Sequence, residues 1–164
     1  MRVFCDSEFG DAGLPRHFVQ SSLSSNPKRG TVRGLHFQWP RSQEGKLVRC
    51  ISGAVLDVMV DLRPDSETFL RHHTVELSEG NGRGVYIPPG FAHGFQVTQE
   101  GARVLYHMTD FFDAPLGDGF RYNDPAFGIE WPEPVTTVSD RDRNAPLFDP
   151  ARYRAEFARR AGAQ

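Results

Sequence analysis

The sequence lacks several features that would assign it to a specialised class of protein. It has two cysteines in 164 residues and no charged-then-apolar leader, so reduced thiols are expected rather than a secreted disulfide framework. No apolar run approaches the ~20 residues that a membrane helix needs, because Asp57 and Asp61 interrupt the best candidate. A cytoplasmic protein without a membrane segment is therefore expected.

Charge of one sign is also missing. Nineteen Lys and Arg against 21 Asp and Glu leave a net charge of −2, which excludes the strongly basic footprint typical of nucleic-acid or anionic-membrane binding. Helix-favouring Met is scarce at three residues, whereas 13 Phe, 16 Gly and 12 Pro indicate strands joined by sharp turns. The composition therefore predicts a single turn-rich β domain with no nucleic-acid partner.

Short apolar runs bounded by turn residues predict seven strands in the middle of the chain. Alternation is clearest in one run, where Leu56, Val58 and Val60 fall on one face while Asp57 and Met59 fall on the other. The seven predicted strands are Thr31–Gln38, Lys46–Ser52, Ala54–Leu62, Leu70–Leu77, Gly84–Ile87, His93–Gln99 and Ala102–Thr109.

Seven closely spaced strands without a long helical pattern between them predict an all-β fold, a jelly-roll barrel or sandwich over residues 1–150. Short flanking helices are predicted at Asp6–Gly13 and at Ala151–Ala163, where Tyr153 and Phe157 have helical spacing. The arginine-rich tail, 151–164, is compatible with a basic interaction segment, but a solvated terminal helix is the favoured interpretation.

Two of the six histidines lie in settings that favour chemistry. His36 belongs to a predicted strand in which it shares one face with Gly34 and Gln38, and His93 follows the turn of Pro88–Gly90. Lys46 and Tyr106 alternate with apolar neighbours, which predicts that both point inward. The remaining histidines, His17, His72, His73 and His107, are interpreted as packing or surface residues.

A metal site is not favoured by this pattern. Small barrels of the cupin type often hold a metal with His-x-His, a nearby Glu and a distant His, but here His36 is followed by Gln38 and then Lys46. Glutamine is a poor transition-metal ligand, and an ammonium group repels a cation. We predict a site without metal or other cofactor; Glu44 leaves a metal-dependent cupin enzyme as an alternative.

The candidate side chains suit proton transfer beside a carbonyl group. An imidazole can remove the α-proton, a carboxylate can support the imidazolium, and a lysine can stabilise the enolate. A tyrosine on the opposite face of the substrate could return the proton there, which inverts the carbon. His36, Lys46 and Tyr106 therefore indicate epimerisation next to a ketone.

Ordered sequence blocks resemble the dTDP-4-dehydrorhamnose 3,5-epimerases, cupin-fold enzymes that act on dTDP-4-keto-6-deoxy sugars. The resemblance runs from about Phe18 to Asp149. The blocks that carry it are Arg33–Gln38, Gly45–Cys50, Gly53–Arg63, Ile87–Phe95, Val104–Asp110, Asn123–Pro132, Ser139–Asp142 and Ala145–Asp149.

The resemblance implies a role for individual residues and a homodimer that exchanges N-terminal strands. It implies a catalytic set comprising His36 as base, Asp142 as its partner, Tyr106 as acid and Lys46. It implies a substrate-binding set comprising Arg33, Gln38, Gln20 and His93. Family members usually carry an upstream Asp-x-Arg-Gly-Phe-type segment whose arginine helps hold the phosphates, and Met1–Cys5 aligns just downstream of it.

The resemblance leaves the reaction partly open. The substrate it implies is a dTDP-linked 4-keto-6-deoxyhexose, inverted at C3, at C5 or at both carbons. A 3,4-ketoisomerase and a single-carbon epimerase remain possible within the family, although Tyr106 favours epimerisation. A non-catalytic sugar-nucleotide-binding cupin is the alternative from another functional class.

Overall fold

A computed structural model describes residues 2–162, most of which lie in or next to one eight-stranded sheet. The strands are β1 (Gln20–Asn26), β2 (Thr31–Gln38), β3 (Lys46–Asp61), β4 (His72–Ser78), β5 (Gly84–Ile87), β6 (Phe91–Met108), β7 (Gly117–Gly119) and β8 (Thr137–Val138). The helices are α1 (Asp6–Asp11), α2 (Asp140–Arg143) and α3 (Pro150–Gly162). The predicted all-β class is confirmed, and β2 and β5 have the predicted bounds.

Two long antiparallel strands, β3 and β6, connect the two halves of the sheet. They pair from Lys46 opposite Met108 to Asp61 opposite Phe91, with register shifts between Cys50 and Val55. In one half β5 and β1 flank this pair, and in the other half β4 and β2 flank it, with β7 beyond β2. Because bulges bend a strand, the two halves can diverge and enclose a space.

The sequence prediction divided each long strand in two, and this was wrong. Lys46–Ser52 and Ala54–Leu62 form the single strand β3, since Gly53 adopts a positive φ of 68° within a bulge and the chain does not reverse there. His93–Gln99 and Ala102–Thr109 likewise form β6, with Gly101 at φ 73°. Gly-containing dipeptides signal a bulge as well as a turn.

Two other strand predictions need correction. The predicted strand Leu70–Leu77 begins two residues later, at His72. Leu70 has a φ of 64° and belongs to the preceding turn, and its N–H donates to the Asp61 carbonyl. Strand β1 (Gln20–Asn26) was not predicted, since its four serines have low β propensity. It is held by seven register partners on β6.

The core consists of two apolar clusters on opposite faces of β3. Val60 and Leu62 enter an aromatic-rich cluster, whereas Val55 and Met59 enter an aliphatic one, as the alternation predicted. Members of the aromatic-rich cluster include Leu35, Phe37, Trp39, Phe120, Phe127, Phe148 and Tyr153. Burial of both faces gives the β3–β6 pair a well-defined register.

The helices lie at the ends of the described chain and beside β2. Helix α1 ends two residues before the predicted Gly13, and α3 matches the predicted tail helix except that Ala163 and Gln164 lie outside the described residues. Tyr153 of α3 is buried in the aromatic-rich cluster, and its hydroxyl donates to the Leu62 carbonyl at 2.6 Å. Within residues 2–162, no helix is long and apolar enough to cross a membrane.

Candidate active site

Two adjoining cavities of about 210 and 250 Å³ lie between the halves of the sheet. His36, Lys46 and Tyr106 line both cavities, and they come from β2, β3 and β6 respectively. The other lining residues include Gln20, Ser22, Gln38, Glu44, Met108, Phe112 and Arg141 in the first cavity and Ser24, Arg33, His93 and Phe95 in the second. The three residues predicted to carry the chemistry therefore meet where the cavities join.

His36 forms a close pair with Asp142. Its Nε2 lies 2.6 Å from Asp142 Oδ1, and the side chain of His36 is 41% exposed while that of Asp142 is almost fully buried. Because an ionised carboxylate can only accept, Nε2 carries the shared proton and Nδ1 is the nitrogen free to act as a base. The structure thus brings together two residues that lie 106 positions apart in sequence.

Local structure explains how Asp142 reaches β2. Ser139 accepts a hydrogen bond from the Asp142 N–H and caps the single turn of α2, and the second carboxylate oxygen accepts from the Gly34 N–H at 3.2 Å. Burial by itself raises the pKa of Asp142, but the bonds and charge from His36 and the Gly34 N–H outweigh it, so this pKa is lowered. Asp142 therefore stays ionised and orients His36.

A second histidine–aspartate pair occupies the wall of the other cavity. His93 Nε2 lies 2.8 Å from Asp57 Oδ2, and His93 is the register partner of His36 across β2 and β6. The side chain of His93 is 11% exposed, and Asp57 is fully buried. Asp57 Oδ1 has no hydrogen-bond partner within residues 2–162.

Lys46 forms an ion pair at the cavity with Glu44. Its Nζ lies 3.0 Å from Glu44 Oε2, and both side chains are largely buried. Burying an ammonium group without such a partner is costly. The ion pair therefore holds the ammonium group of Lys46 at the cavity, in the inward orientation predicted for this residue.

Tyr106 faces the cavity from the second half of β6, opposite Ser22 of β1 and Val48 of β3. Burial raises the pKa of its hydroxyl, and the positive charge of Arg33 only partly offsets this effect. Tyr106 is therefore protonated near neutral pH, as a proton donor must be.

The predicted substrate-binding residues also line the cavities, and their hydrogen-bond partners differ. Arg33 Nε donates to Asn26 Oδ1 at 3.2 Å, which leaves the rest of its guanidinium available. Strict alternation would separate Arg33 from His36, but a register shift between them places both side chains at one cavity. Gln20 and Gln38 line the first cavity, and both bond to the backbone of the segment after β6.

Three residues of the site were not predicted as functional. Asp57 could have been found as a charged residue between the apolar Leu56 and Val58, because such a group needs a partner when buried. Glu44 was considered only as a metal ligand, although it holds Lys46. Arg141 lines the first cavity and forms no ion pair within residues 2–162. It could have been predicted from the sequence because it directly precedes Asp142.

The donor groups at the cavities are dispersed. Among the described residues, no three His, Cys, Asp or Glu side chains lie close enough together to hold a metal ion. The two histidines that line the cavities, His36 and His93, are each bonded to a single carboxylate. The arrangement brings an imidazole, a phenol and an ammonium group around one space.

Sequence comparison relates the chain to known proteins. The family model for dTDP-4-dehydrorhamnose 3,5-epimerase matches residues 1–150. The chain is 44% identical over 135 residues to the dTDP-4-dehydrorhamnose 3,5-epimerase of Salmonella typhimurium, which covers 82% of this chain and 73% of the relative.

Solved structures are also similar to the chain. A dTDP-6-deoxy-D-glucose-3,5-epimerase from Legionella pneumophila in complex with dTDP-4-keto-L-rhamnose has a TM-score of 0.83 at 38% identity and covers 89% of this chain and 78% of that one. A 3′-monoepimerase from Streptomyces bikiniensis in complex with dTDP-quinovose has a TM-score of 0.84 at 26% identity, covering 98% and 86%. These matches confirm the predicted cupin-type jelly-roll fold.

Proposed function

The chain belongs to the dTDP-4-dehydrorhamnose 3,5-epimerase family, and we propose that it is an isomerase that epimerises a dTDP-4-keto-6-deoxyhexose beside its C4 ketone. The family relation supports the substrate class, since a solved relative holds a dTDP-4-keto sugar. The cavities support the chemistry, because base, acid and cation surround one space.

In the proposed first step, Nδ1 of His36 removes the proton from the carbon next to the ketone. The C–H electron pair moves into the ring and negative charge develops on the ketone oxygen, which gives an enolate. Asp142 supports the imidazolium through Nε2, and the ammonium of Lys46 stabilises the enolate oxygen. Because the charge of Glu44 balances that of Lys46, the pair suits a neutral ketone. The attraction between the Lys46 ammonium and the ketone oxygen then increases as negative charge develops on that oxygen.

In the proposed second step, Tyr106 delivers a proton to the opposite face of the same carbon and becomes a phenolate. His36 then loses its proton to solvent and the Tyr106 phenolate takes one from solvent, which restores both residues. Tyr106 lies on the half of the sheet opposite β2, and its raised pKa keeps the proton available. Arg33, Gln20 and His93 are proposed to bind the substrate, and Arg141 would meet the diphosphate at the first cavity. The cycle needs no redox partner because every proton and electron pair is returned.

The observation that carries the proposal is the pairing of a half-exposed His36 with a buried Asp142 at the junction of the cavities. The test is incubation with the dTDP-4-keto-6-deoxyhexose in deuterated water, followed by NMR. Deuterium at C3 or C5 is expected. Binding of dTDP without any exchange would contradict the proposal and identify a non-catalytic sugar-nucleotide-binding cupin, and metal analysis of the same sample tests the metal-dependent alternative.

The same experiment, with the configuration of the product read from the same NMR spectra, decides how many carbons are inverted. The chain is similar both to 3,5-epimerases and to a 3′-monoepimerase, so the family relation is compatible with either outcome. We propose inversion at both carbons, since the greater sequence identity is to the 3,5-epimerases. Exchange confined to C3 would assign a single-carbon reaction instead.

A homodimer is part of the proposal. Strand β1 pairs with β6 along one edge, and its other edge has no strand partner among the described residues. Leu23 of β1 and Ile51 of β3 are exposed apolar side chains, at 44% and 41%. An open edge beside apolar surface suits association with a second copy. Sedimentation analysis should give a dimer, and Leu23→Glu should weaken it.

The cytoplasmic location and the division of the chain stay predictions. Free thiols at Cys5 and Cys50 support a reducing compartment, which cell fractionation can test. The family model ends at residue 150, which supports a catalytic domain over 1–150 followed by a tail over 151–164. The burial of Tyr153 suggests that the tail contributes to stability.

A further inference from the structure

The segment between β6 and β7 forms a rim at the mouth of the first cavity. This rim, residues 110–116, carries two exposed aromatic side chains, Phe111 at 65% and Phe112 at 55%. The ring of Phe112 lines the cavity, and Phe111 does not. A large exposed apolar side chain at a cavity mouth needs something to fix its position if it is to meet a ligand reproducibly.

The central backbone of the rim is held by side chains of the sheet. The Phe111 carbonyl accepts from Gln38 Nε2 at 3.2 Å, and the Asp113 N–H donates to Gln38 Oε1 at 2.7 Å. Between them, the Phe112 N–H donates to Gln20 Oε1 at 3.3 Å. Within the described residues, these three backbone groups have no backbone hydrogen-bond partner.

The carboxamide of Gln38 has no donor left for a substrate. Its second N–H donates to Ser42 Oγ at 3.1 Å, so both donor hydrogens are engaged. The contacts also fix which end of the amide is which, because Asp113 presents an N–H and Phe111 presents a carbonyl oxygen. An amide that donates to a substrate oxygen, such as a ketone or phosphate oxygen, would need a free N–H.

We propose that Gln38 is a positioning residue that holds the rim, so that the Phe112 ring stands at the mouth of the cavity. Gln38 lies two residues after His36 on the same face of β2, and therefore ties the rim to the strand that carries the base. Its register partner Gly117 leaves room for the ring, since a Cβ there would lie 2.7 Å from Phe112 Cε2. This inference rests on the proposed function for the identity of the ligand.

Hydrogen exchange in the free protein tests the positioning directly, without any substrate. Gln38→Leu keeps the volume but removes the two hydrogen bonds from Gln38 to the rim and the one to Ser42. Amides of the peptide spanning residues 109–117 should therefore exchange about tenfold faster. Gln43→Leu is the matched control, because Gln43 is exposed nearby and its side chain forms no hydrogen bond within the described residues. Unchanged exchange in Gln38→Leu would overturn the proposal.

Steady-state kinetics provide the second readout. Gln38→Leu should raise KM about tenfold while kcat changes less than about threefold, since the base and acid are untouched. An unchanged melting temperature excludes a general loss of fold. A kcat that falls as much as KM rises would contradict a positioning role.

A double-mutant cycle separates positioning from direct contact. If Gln38 acts through Phe112, the KM of Gln38→Leu combined with Phe112→Ala should equal that of Phe112→Ala alone. Independent, multiplying effects on KM would show that Gln38 contacts the substrate itself. The hydrogen-exchange result stands even if the epimerase assignment fails, so failures of the two proposals are distinguishable.

Discussion

The cavities contain two histidine–aspartate pairs, for which the account proposes different roles. His36 with Asp142 and His93 with Asp57 have similar separations, 2.6 and 2.8 Å, and the two histidines face each other in register. Residue type and distance alone would therefore assign both pairs the same role.

The surroundings distinguish them. His36 is 41% exposed to the cavity and His93 only 11%, so a substrate can reach the first imidazole more easily. Asp142 accepts a further hydrogen bond from Gly34, whereas one oxygen of Asp57 is buried without a partner in the described chain. A proton acceptor needs access and a stably ionised partner, and the His36 pair has both. The His93 pair fits a fixed wall of the pocket.

The largest expected effect separates His36 from a histidine that lies outside the cavities. His36→Asn should lower kcat/KM roughly 10⁴-fold, because the base is lost while the strand remains. His73→Asn, an exposed histidine of β4 outside the cavities, is the control and should retain wild-type activity. A loss of less than tenfold in His36→Asn, measured by coupled turnover, would remove the base from the account.

The next largest effect is expected for the aspartates of the two pairs, whose substitution should lower kcat to different extents. Asp142→Asn should lower kcat roughly 10³-fold, since the amide can no longer hold the imidazolium or the tautomer. Asp57→Asn should lower kcat only about fivefold, the effect of one altered hydrogen bond beside a wall residue. Equal losses of kcat in the two variants would erase the distinction between the pairs.

Tyr106 sharpens the comparison by separating proton removal from proton return. Tyr106→Phe should lower net inversion roughly 10²-fold while solvent exchange at the carbon is spared more, because His36 can still remove and restore the proton. Tyr86→Phe is the matched control, a half-buried tyrosine on β5 outside the two cavities. Parallel loss of exchange and inversion would count against Tyr106 as the acid.

The smallest expected effect concerns stability against pH. The pKa of Asp142 is lowered in the folded protein, so its contribution is complete above the ordinary value near 3.8 and is lost as pH falls through the folded pKa. Wild type should exceed Asp142→Asn by about 1–3 kcal/mol in the free energy of unfolding at pH 6. Urea unfolding should show that gap closing only below about pH 4, and a gap that persists in acid would be inconsistent with an ionised Asp142.

Sequence reasoning was most successful where local pattern determines structure. The bounds of β2 and β5 follow from apolar alternation between turns, whereas the serine-rich β1 exists through its pairing with β6. The role predicted for Asp142 came only from resemblance, since no local rule joins it to His36, 106 positions away. The contacts of Gln38 could not be predicted, because they depend on tertiary structure that brings the rim beside β2.

Deuterium exchange by His36→Asn and His93→Asn, measured side by side, tests the central claim most directly. Each variant is incubated with the dTDP-4-keto-6-deoxyhexose in deuterated water, and label at C3 and C5 is followed by NMR. The account predicts no detectable exchange with His36→Asn and exchange within about tenfold of wild type with His93→Asn. Retained exchange in His36→Asn, or its loss in His93→Asn alone, would contradict the assignment of His36 as the base.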